Sequence, residues 1–139
     1  MRNPRAPLVT VLRAVTLVDA VVFLTAALLN LGATIPLGFV TLSFPVPIWQ
    51  AGIGEAVIGV TLLAAALTGR ATLSWVAWGM SVLGIVFGLS SRRVEGAARD
   101  VHVLLVPLAV VVFGLLVGVR QQRRHRQQWR NASPALGVG

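Results

Sequence analysis

The chain has 139 residues, of which 56% are hydrophobic and 12% charged, and its mean hydropathy is +0.83. A soluble domain usually carries about 25% charged residues, so the composition predicts an integral membrane protein. At about 20 residues per spanning helix, we expect four spans and no separate soluble catalytic domain. The sequence contains no cysteine, which excludes disulfides, iron–sulfur clusters and cysteine zinc sites.

The first apolar segment runs over residues 8–29 and superficially resembles a signal peptide. It is too long for that role and is interrupted by Arg13 and Asp19, so we interpret it as the first span. Asp19 lies about 15 Å from the start of the segment by helical rise, too deep to reach the interface, and must face protein or water. Asn30 falls on the same helical stripe as Asp19, which predicts a shared inward face.

Residues 31–48 form an uncharged segment that glycine and proline interrupt repeatedly. These residues oppose a helix, yet the segment is too apolar for an ordinary solvated loop. We predict an apolar extracytoplasmic cap that lies over the bundle or dips into the outer leaflet, with a lid that only seals the bundle as the alternative. The interrupting residues are Gly32, Pro36, Gly38, Pro45 and Pro47.

The second span, residues 49–68, contains a carboxylate, Glu55, about 9 Å below its outer entry by helical rise. An ionisable group in hydrocarbon is a functional-site hypothesis by default. The alternative is a structural carboxylate that is hydrogen-bonded across the bundle or paired with an arginine. Small residues near Glu55 predict close helix packing: Gly52, Ala56 and Gly59.

The third span covers residues 71–89 and the fourth covers residues 101–119, followed by a basic tail over residues 121–139. Only Gly69 and Arg70 separate the second and third spans, so these two must form an antiparallel hairpin. GxxxG spacings occur in both later spans, and they favour packing within the bundle over dimerisation.

The arginines predict the orientation through the positive-inside rule. With the N-terminus inside, three arginines face outward: Arg92, Arg93 and Arg99. Nine then face the cytoplasm: Arg2, Arg5, Arg13, Arg70, Arg120, Arg123, Arg124, Arg126 and Arg130. The fold prediction is therefore an all-α antiparallel bundle of four transmembrane helices with both termini cytoplasmic. Because every basic residue is arginine, the composition is typical of a GC-rich bacterial genome, and we expect the bacterial inner membrane.

In this topology, most polar residues of the spans and connections lie near the outer face, with Asp19 deeper. They predict an outward-facing polar pocket that binds a ligand or a proton. The candidates are Asp19, Asn30, Gln50, Glu55, Arg92, Arg93, Glu95, Arg99, Asp100 and His102.

The connection before the fourth span carries most of these charges, and a salt-bridged, solvated turn is its alternative interpretation. If the segment is helical, Glu95, Arg99 and His102 share a face. Asp100 and His102 are about 200° apart on a helix, which argues against a metal site made from this pair. A bis-His haem site within one chain is also excluded, because His125 lies in the tail.

The tail binds anionic lipid headgroups in our interpretation, since it directly follows a span. Nucleic acid is the less favoured partner. The proposed lipid contacts are Arg120, Arg123, Arg124, Arg126, Trp129 and Arg130.

The segment GEAVIGVTLLAAALTGRATLSWVAWGM resembles the core of the DoxX-like four-helix membrane proteins. Matching positions are Glu55, Gly59, Leu62, Leu63, Gly69 and Arg70, with Phe23 and Leu24 in the first span. Ala27 and Asn30 stand where that family has glycine and lysine. The resemblance covers about half the chain and implies an accessory role in a membrane oxidoreductase assembly linked to quinone.

Three functions therefore stand as expectations. The first is an accessory subunit without independent catalysis, with no covalent cofactor, a quinone as its candidate ligand, and oxidoreductase subunits or further copies of this chain as partners. The second is a small proton- or ion-coupled transporter or channel that uses Glu55. The third is a structural scaffold whose carboxylates only pair with arginines.

Overall fold

The computed structural model describes residues 6–44, 47–91 and 97–132. Four α-helices dominate it, and each is long and apolar enough to cross a membrane. The prediction of four membrane-length helices is thus confirmed. The helices are α1 (Ala6–Asn30), α2 (Trp49–Thr68), α3 (Ala71–Ser90) and α4 (Ala97–Ala132).

The helices pack in a ring in which α1 contacts α2, α2 contacts α3, α3 contacts α4 and α4 contacts α1, with the α1–α2 contact the most extensive. The largest fully buried apolar side chains are Phe23, Leu62 and Val112. Large apolar side chains also cover the outside of the helices, with Leu83 69% and Leu104 71% exposed. A helix that is apolar all round needs an apolar solvent, which favours a lipid bilayer around the ring.

Glycines allow the close approach of α2 to α1 that the small-residue pattern predicts. A Cβ on Gly52 would lie 2.9 Å from Leu31 Cγ, and a Cβ on Gly59 would lie 2.7 Å from Leu24 Cγ. Gly84 on α3 is similarly tight, since its Cβ would lie 2.7 Å from Ile58 Cδ1. The glycines therefore serve packing inside the ring.

The connection between α1 and α2 contains a feature that the sequence analysis missed. Two short strands, β1 (Ile35–Leu37) and β2 (Val40–Leu42), form an antiparallel hairpin. Gly38 has φ 62°, which is the positive value that a type II′ turn requires at its first central position. The segment is non-helical as expected, but most of the hairpin is exposed, and Phe39 at its tip is 102% exposed.

Helix α4 continues well beyond the fourth span, through the first part of the basic tail to Ala132. The exposed residues after Val119 are therefore presented on a helix, in register with the membrane-length part. Pro107 lies inside this helix. The helix backbone consequently sets the positions of Arg120, Arg123, Arg124 and Arg126 relative to the four-helix ring.

Candidate functional site

A cluster of buried polar side chains, which we name the polar end, comprises Asn30, Glu55 and His102. The Asn30 Nδ2 donates a hydrogen bond to Glu55 Oε2 at 2.8 Å. Asn30 and Glu55 are each 7% exposed and His102 is 8% exposed. Three helices thus contribute one polar side chain each to a site that is almost closed to solvent.

His102 is positioned by the small residue opposite it. Its imidazole Cδ2 and Nε2 lie against Gly88 of α3, where any Cβ would clash with the ring. An electrostatic interaction also connects His102 to Glu55. The polar end therefore combines an acceptor carboxylate, a donor amide and an imidazole that can donate or accept.

A second buried carboxylate, Asp19, lies in the middle of α1. Ser81 Oγ donates a hydrogen bond to Asp19 Oδ2 at 3.2 Å, and the two residues are 2% and 0% exposed. Thr16, one turn away on α1, satisfies its own hydroxyl by bonding to the Leu12 carbonyl oxygen at 2.8 Å. Among the described residues, the hydrogen bond that holds Asp19 thus comes from a hydroxyl of α3.

Apolar packing separates the two carboxylate sites. Along α1, Asn30 and Asp19 are about 16 Å apart by helical rise. Between them lies the main apolar cluster of the ring, which includes Phe23, Ile58 and Leu62, each at most 8% exposed. This packing leaves two distinct polar sites instead of one continuous polar path.

The other predicted site residues fall into two groups. Gln50 and Arg99 are on described helices but are exposed, so they do not join the buried cluster, and Arg99 does not share the buried environment of His102. Arg92, Arg93 and Glu95 lie outside the described residues, as does the side chain of Asp100. The predicted pocket formed with this connection therefore stays a prediction.

A large cavity of about 420 Å³ opens at the opposite end of the ring. We name this region the basic end, after its lining arginines Arg13, Arg120 and Arg123. The sequence predicts Arg120 and Arg123 as lipid contacts of a basic tail and Arg13 as an interruption of the first apolar segment, and no pattern predicts that the three converge on one cavity. The one relevant indication in the sequence is that the positive-inside rule assigns all three arginines to the same side of the membrane.

An aromatic cluster lies beside this cavity. Trp75, Trp78 and Phe113 have ring centroids 5.1–6.0 Å apart, and the Trp78 indole N–H donates to the Ala109 carbonyl oxygen at 2.9 Å. No pattern in the sequence indicates that Phe113 belongs to this group. The cluster joins α3 to α4 and forms an aromatic wall beside the cavity.

Within the described residues, no three His, Asp or Glu side chains come together in a way that could hold a metal ion. The polar end has one carboxylate and one imidazole, which suits hydrogen bonding to a neutral polar headgroup or the transfer of a proton.

No known family model, curated protein or solved structure matches this chain. The DoxX-like resemblance therefore stays a hypothesis, and the chemistry of the two ends is the basis for any functional argument.

Proposed function

We propose that the chain is an accessory subunit of a membrane oxidoreductase assembly and that its polar end binds the headgroup of a quinone. The observation that carries this proposal is the buried Asn30–Glu55 hydrogen bond beside His102. A quinone carbonyl accepts hydrogen bonds, and a quinol hydroxyl donates one. The amide and imidazole can serve the first form and the Glu55 carboxylate the second.

The topology belongs to the same proposal: four antiparallel spans in the bacterial inner membrane, with both termini cytoplasmic. Contacts along α1 and α2 support the antiparallel arrangement. Gly52 meets Leu31, whereas Gly59, two turns further along α2, meets Leu24, so the two helices run in opposite directions past each other. The arginine count supports the orientation.

Single cysteines test the topology, because the sequence has none of its own. In intact cells, a membrane-impermeant maleimide should label Phe39→Cys in the hairpin and should not label Gln128→Cys in α4. Both variants should react after the cells are lysed. Labelling of Gln128→Cys in intact cells would overturn the proposed orientation.

Access to the polar end requires movement, because Glu55 is 7% exposed. A headgroup reaches the carboxylate only when the neighbouring helix ends separate. The exposed hairpin lies in the connection that leads into α2, so a partner that binds the hairpin would act close to the helix that carries Glu55.

The direct test measures the total quinone and quinol that co-purify with the protein in mild detergent under reducing conditions, where the quinol form predominates. Replacing Glu55 by Gln removes the carboxylate acceptor proposed for the quinol hydroxyl, and hydrogen bonds to charged groups contribute about 1.5–3 kcal/mol, so the bound pool should fall about tenfold or more. The matched control is Asp19→Asn, which makes the same change at the separate buried site and should retain quinone. Quinone-free wild-type protein, or equal quinone in both variants, would overturn the proposal.

Proton- or ion-coupled transport is the second candidate, and the two buried carboxylates at different depths favour it. The apolar cluster between them opposes a continuous path. In liposomes, a proton flux that Glu55→Gln and Asp19→Asn both abolish would support transport. If the wild-type protein gives no flux, transport is excluded and the accessory role stands. If membranes that carry either variant keep full quinone-linked oxidoreductase activity, a structural scaffold is favoured.

A further inference from the structure

The cavity at the basic end has the dimensions of a small-molecule site. Its volume of about 420 Å³ falls within the roughly 300–1,000 Å³ typical of ligand pockets. Apolar residues of α1 and α4 form much of its wall, including Leu12 and Leu116, which are 8% and 4% exposed. The cavity therefore combines an apolar inner wall with a charged mouth.

The charges that line it are all positive. Arg13 comes from α1, and Arg120 and Arg123 come from α4. Asp19 and Glu55, the two acidic residues whose side chains the structure describes, do not line the cavity. Within the described part of the chain, the arginines therefore have no carboxylate in the cavity to neutralise them.

Arg13 is directed into this region by the end of α2. Its guanidinium lies over Gly69, whose Cβ, if present, would come within 3.0 Å of Arg13 Nε and Cζ. Gly69 also has φ 63° and caps α2, so both its backbone conformation and the space above it require glycine. This contact places the positive charge at the mouth of the cavity, where Arg13 remains exposed.

The N-terminus of α3 adds donors to the same cavity. Ala71 and Thr72 of its first turn line the cavity together with Ser74, and no side chain caps this helix. The first N–H groups of a helix and its dipole favour an anion. The arginines and the helix terminus are independent features that select the same chemistry.

We propose that the basic end binds the phosphate of an anionic phospholipid, with the headgroup in the cavity and the acyl chains in the surrounding bilayer. Basic pockets between transmembrane helices are suited to anionic headgroups. The bidentate geometry of arginine matches phosphate oxygens. This proposal requires a bilayer but is independent of quinone binding at the other end.

Native mass spectrometry of the protein from nanodiscs that contain phosphatidylglycerol and phosphatidylcholine tests it. Wild-type protein should retain phosphatidylglycerol preferentially after release into detergent. Because each arginine near the headgroup contributes about 1 kcal/mol, Arg13→Gln and Arg120→Gln should each reduce retention about fivefold. Arg70→Gln removes the same charge from an exposed residue at the same end of the ring that does not line the cavity, and it should have little effect.

A second variant separates the cavity from general surface charge. Thr72→Phe keeps every arginine but fills the space, so retention of phosphatidylglycerol should again fall. Equal loss of phosphatidylglycerol in Arg13→Gln and Arg70→Gln, together with full retention in Thr72→Phe, would overturn the proposal in favour of a diffuse basic surface. Thermal unfolding provides the last comparison. If inorganic phosphate alone raised the unfolding temperature of the protein as much as phosphatidylglycerol does, free phosphate would be the ligand and the phospholipid proposal would be overturned.

Discussion

The two ends of the ring accommodate charge in opposite ways. At the polar end, Glu55 is buried and is stabilised by short contacts with neighbouring helices. At the basic end, the arginines line an open cavity and remain exposed. A carboxylate on a short side chain needs protein partners in an apolar environment, whereas an arginine can extend its charged group to the interface. The comparison indicates that side-chain length influences whether a charged group is buried among the helices, as Glu55 is, or stays exposed at an open cavity, as the arginines do.

The strongest way to break this contrast is to add charge to the closed end. Asn30→Asp replaces the donor of the 2.8 Å hydrogen bond to Glu55 with a second carboxylate. An uncompensated buried charge costs about 3–5 kcal/mol, so the free energy of unfolding in mixed SDS micelles should fall by a similar amount. The loss should be smaller at acidic pH, where a proton shared between the two carboxyls restores a hydrogen bond.

Gln50→Glu is the matched control, because it adds the same charge at an exposed residue of the same end. It should change stability little at any pH. If Asn30→Asp behaved in the same way, the buried hydrogen bond would not be what closes the polar end.

The buried carboxylate in the middle of α1 allows a second test. Ser81→Ala removes the hydroxyl that donates to Asp19 and should cost about 1–3 kcal/mol, since it leaves a buried acceptor with less compensation. Ser74→Ala removes a hydroxyl that donates to the carbonyl oxygen of Arg70, the residue immediately before α3. Chemical denaturation in detergent should show a clear loss for the first variant and almost none for the second.

The two ends should also differ in how tightly their glycines are packed, and we expect Gly→Ala substitutions to change the free energy of unfolding less than the polar substitutions above. Gly52→Ala places a Cβ 2.9 Å from Leu31 Cγ at the tightly packed end, whereas Gly118→Ala places one 3.4 Å from Leu8 Cδ2. Overpacking outweighs the gain in helix propensity in the first case, so we expect a loss of about 1–2 kcal/mol. Gly118→Ala should be neutral or slightly stabilising, and a thermal unfolding comparison that ranked the two variants in reverse would contradict this contrast.

The smallest expected effect concerns the wall beside the basic end. Trp78→Phe removes the indole N–H that donates to the Ala109 carbonyl oxygen and should cost about 1 kcal/mol beyond the loss of area. Trp75→Phe makes the same change in size within the same aromatic cluster. Equal unfolding free energies for the two variants would show that the hydrogen bond adds nothing to the ring contacts.

Much of the local structure is predictable because hydrophobic length and punctuation are local properties. The four apolar segments predict four membrane-length helices, and the glycine and proline residues predict the break between α1 and α2. The stripe that joins Asp19 and Asn30 predicts their burial, which the structure confirms. The hairpin was missed because its strands have only three residues each, too few for a pattern to be distinguished from an irregular cap.

The partners of the buried groups could not be predicted in the same way. Many polar residues were candidates to meet Glu55, and only the packing of the helices selects Asn30 and directs His102 against Gly88. Ser81 was not a candidate at all, because a serine within an apolar span gives no sign of which carboxylate it will face. Helical periodicity assigns a residue to a face, but it does not say which residue lies opposite.

The sequence by itself determined the class of this protein: an apolar chain whose length and charge distribution require four helices and whose few acids must be sheltered. Only the tertiary structure decided that Asp19 and Glu55 occupy two separate sites and that Arg13 joins Arg120 and Arg123 around one cavity. The physical reason is that the free-energy penalty for burying a charged group follows from the residue type, which the sequence gives directly. The partner that compensates this penalty lies far along the chain. Contacts between distant residues are chosen by the packing of whole helices.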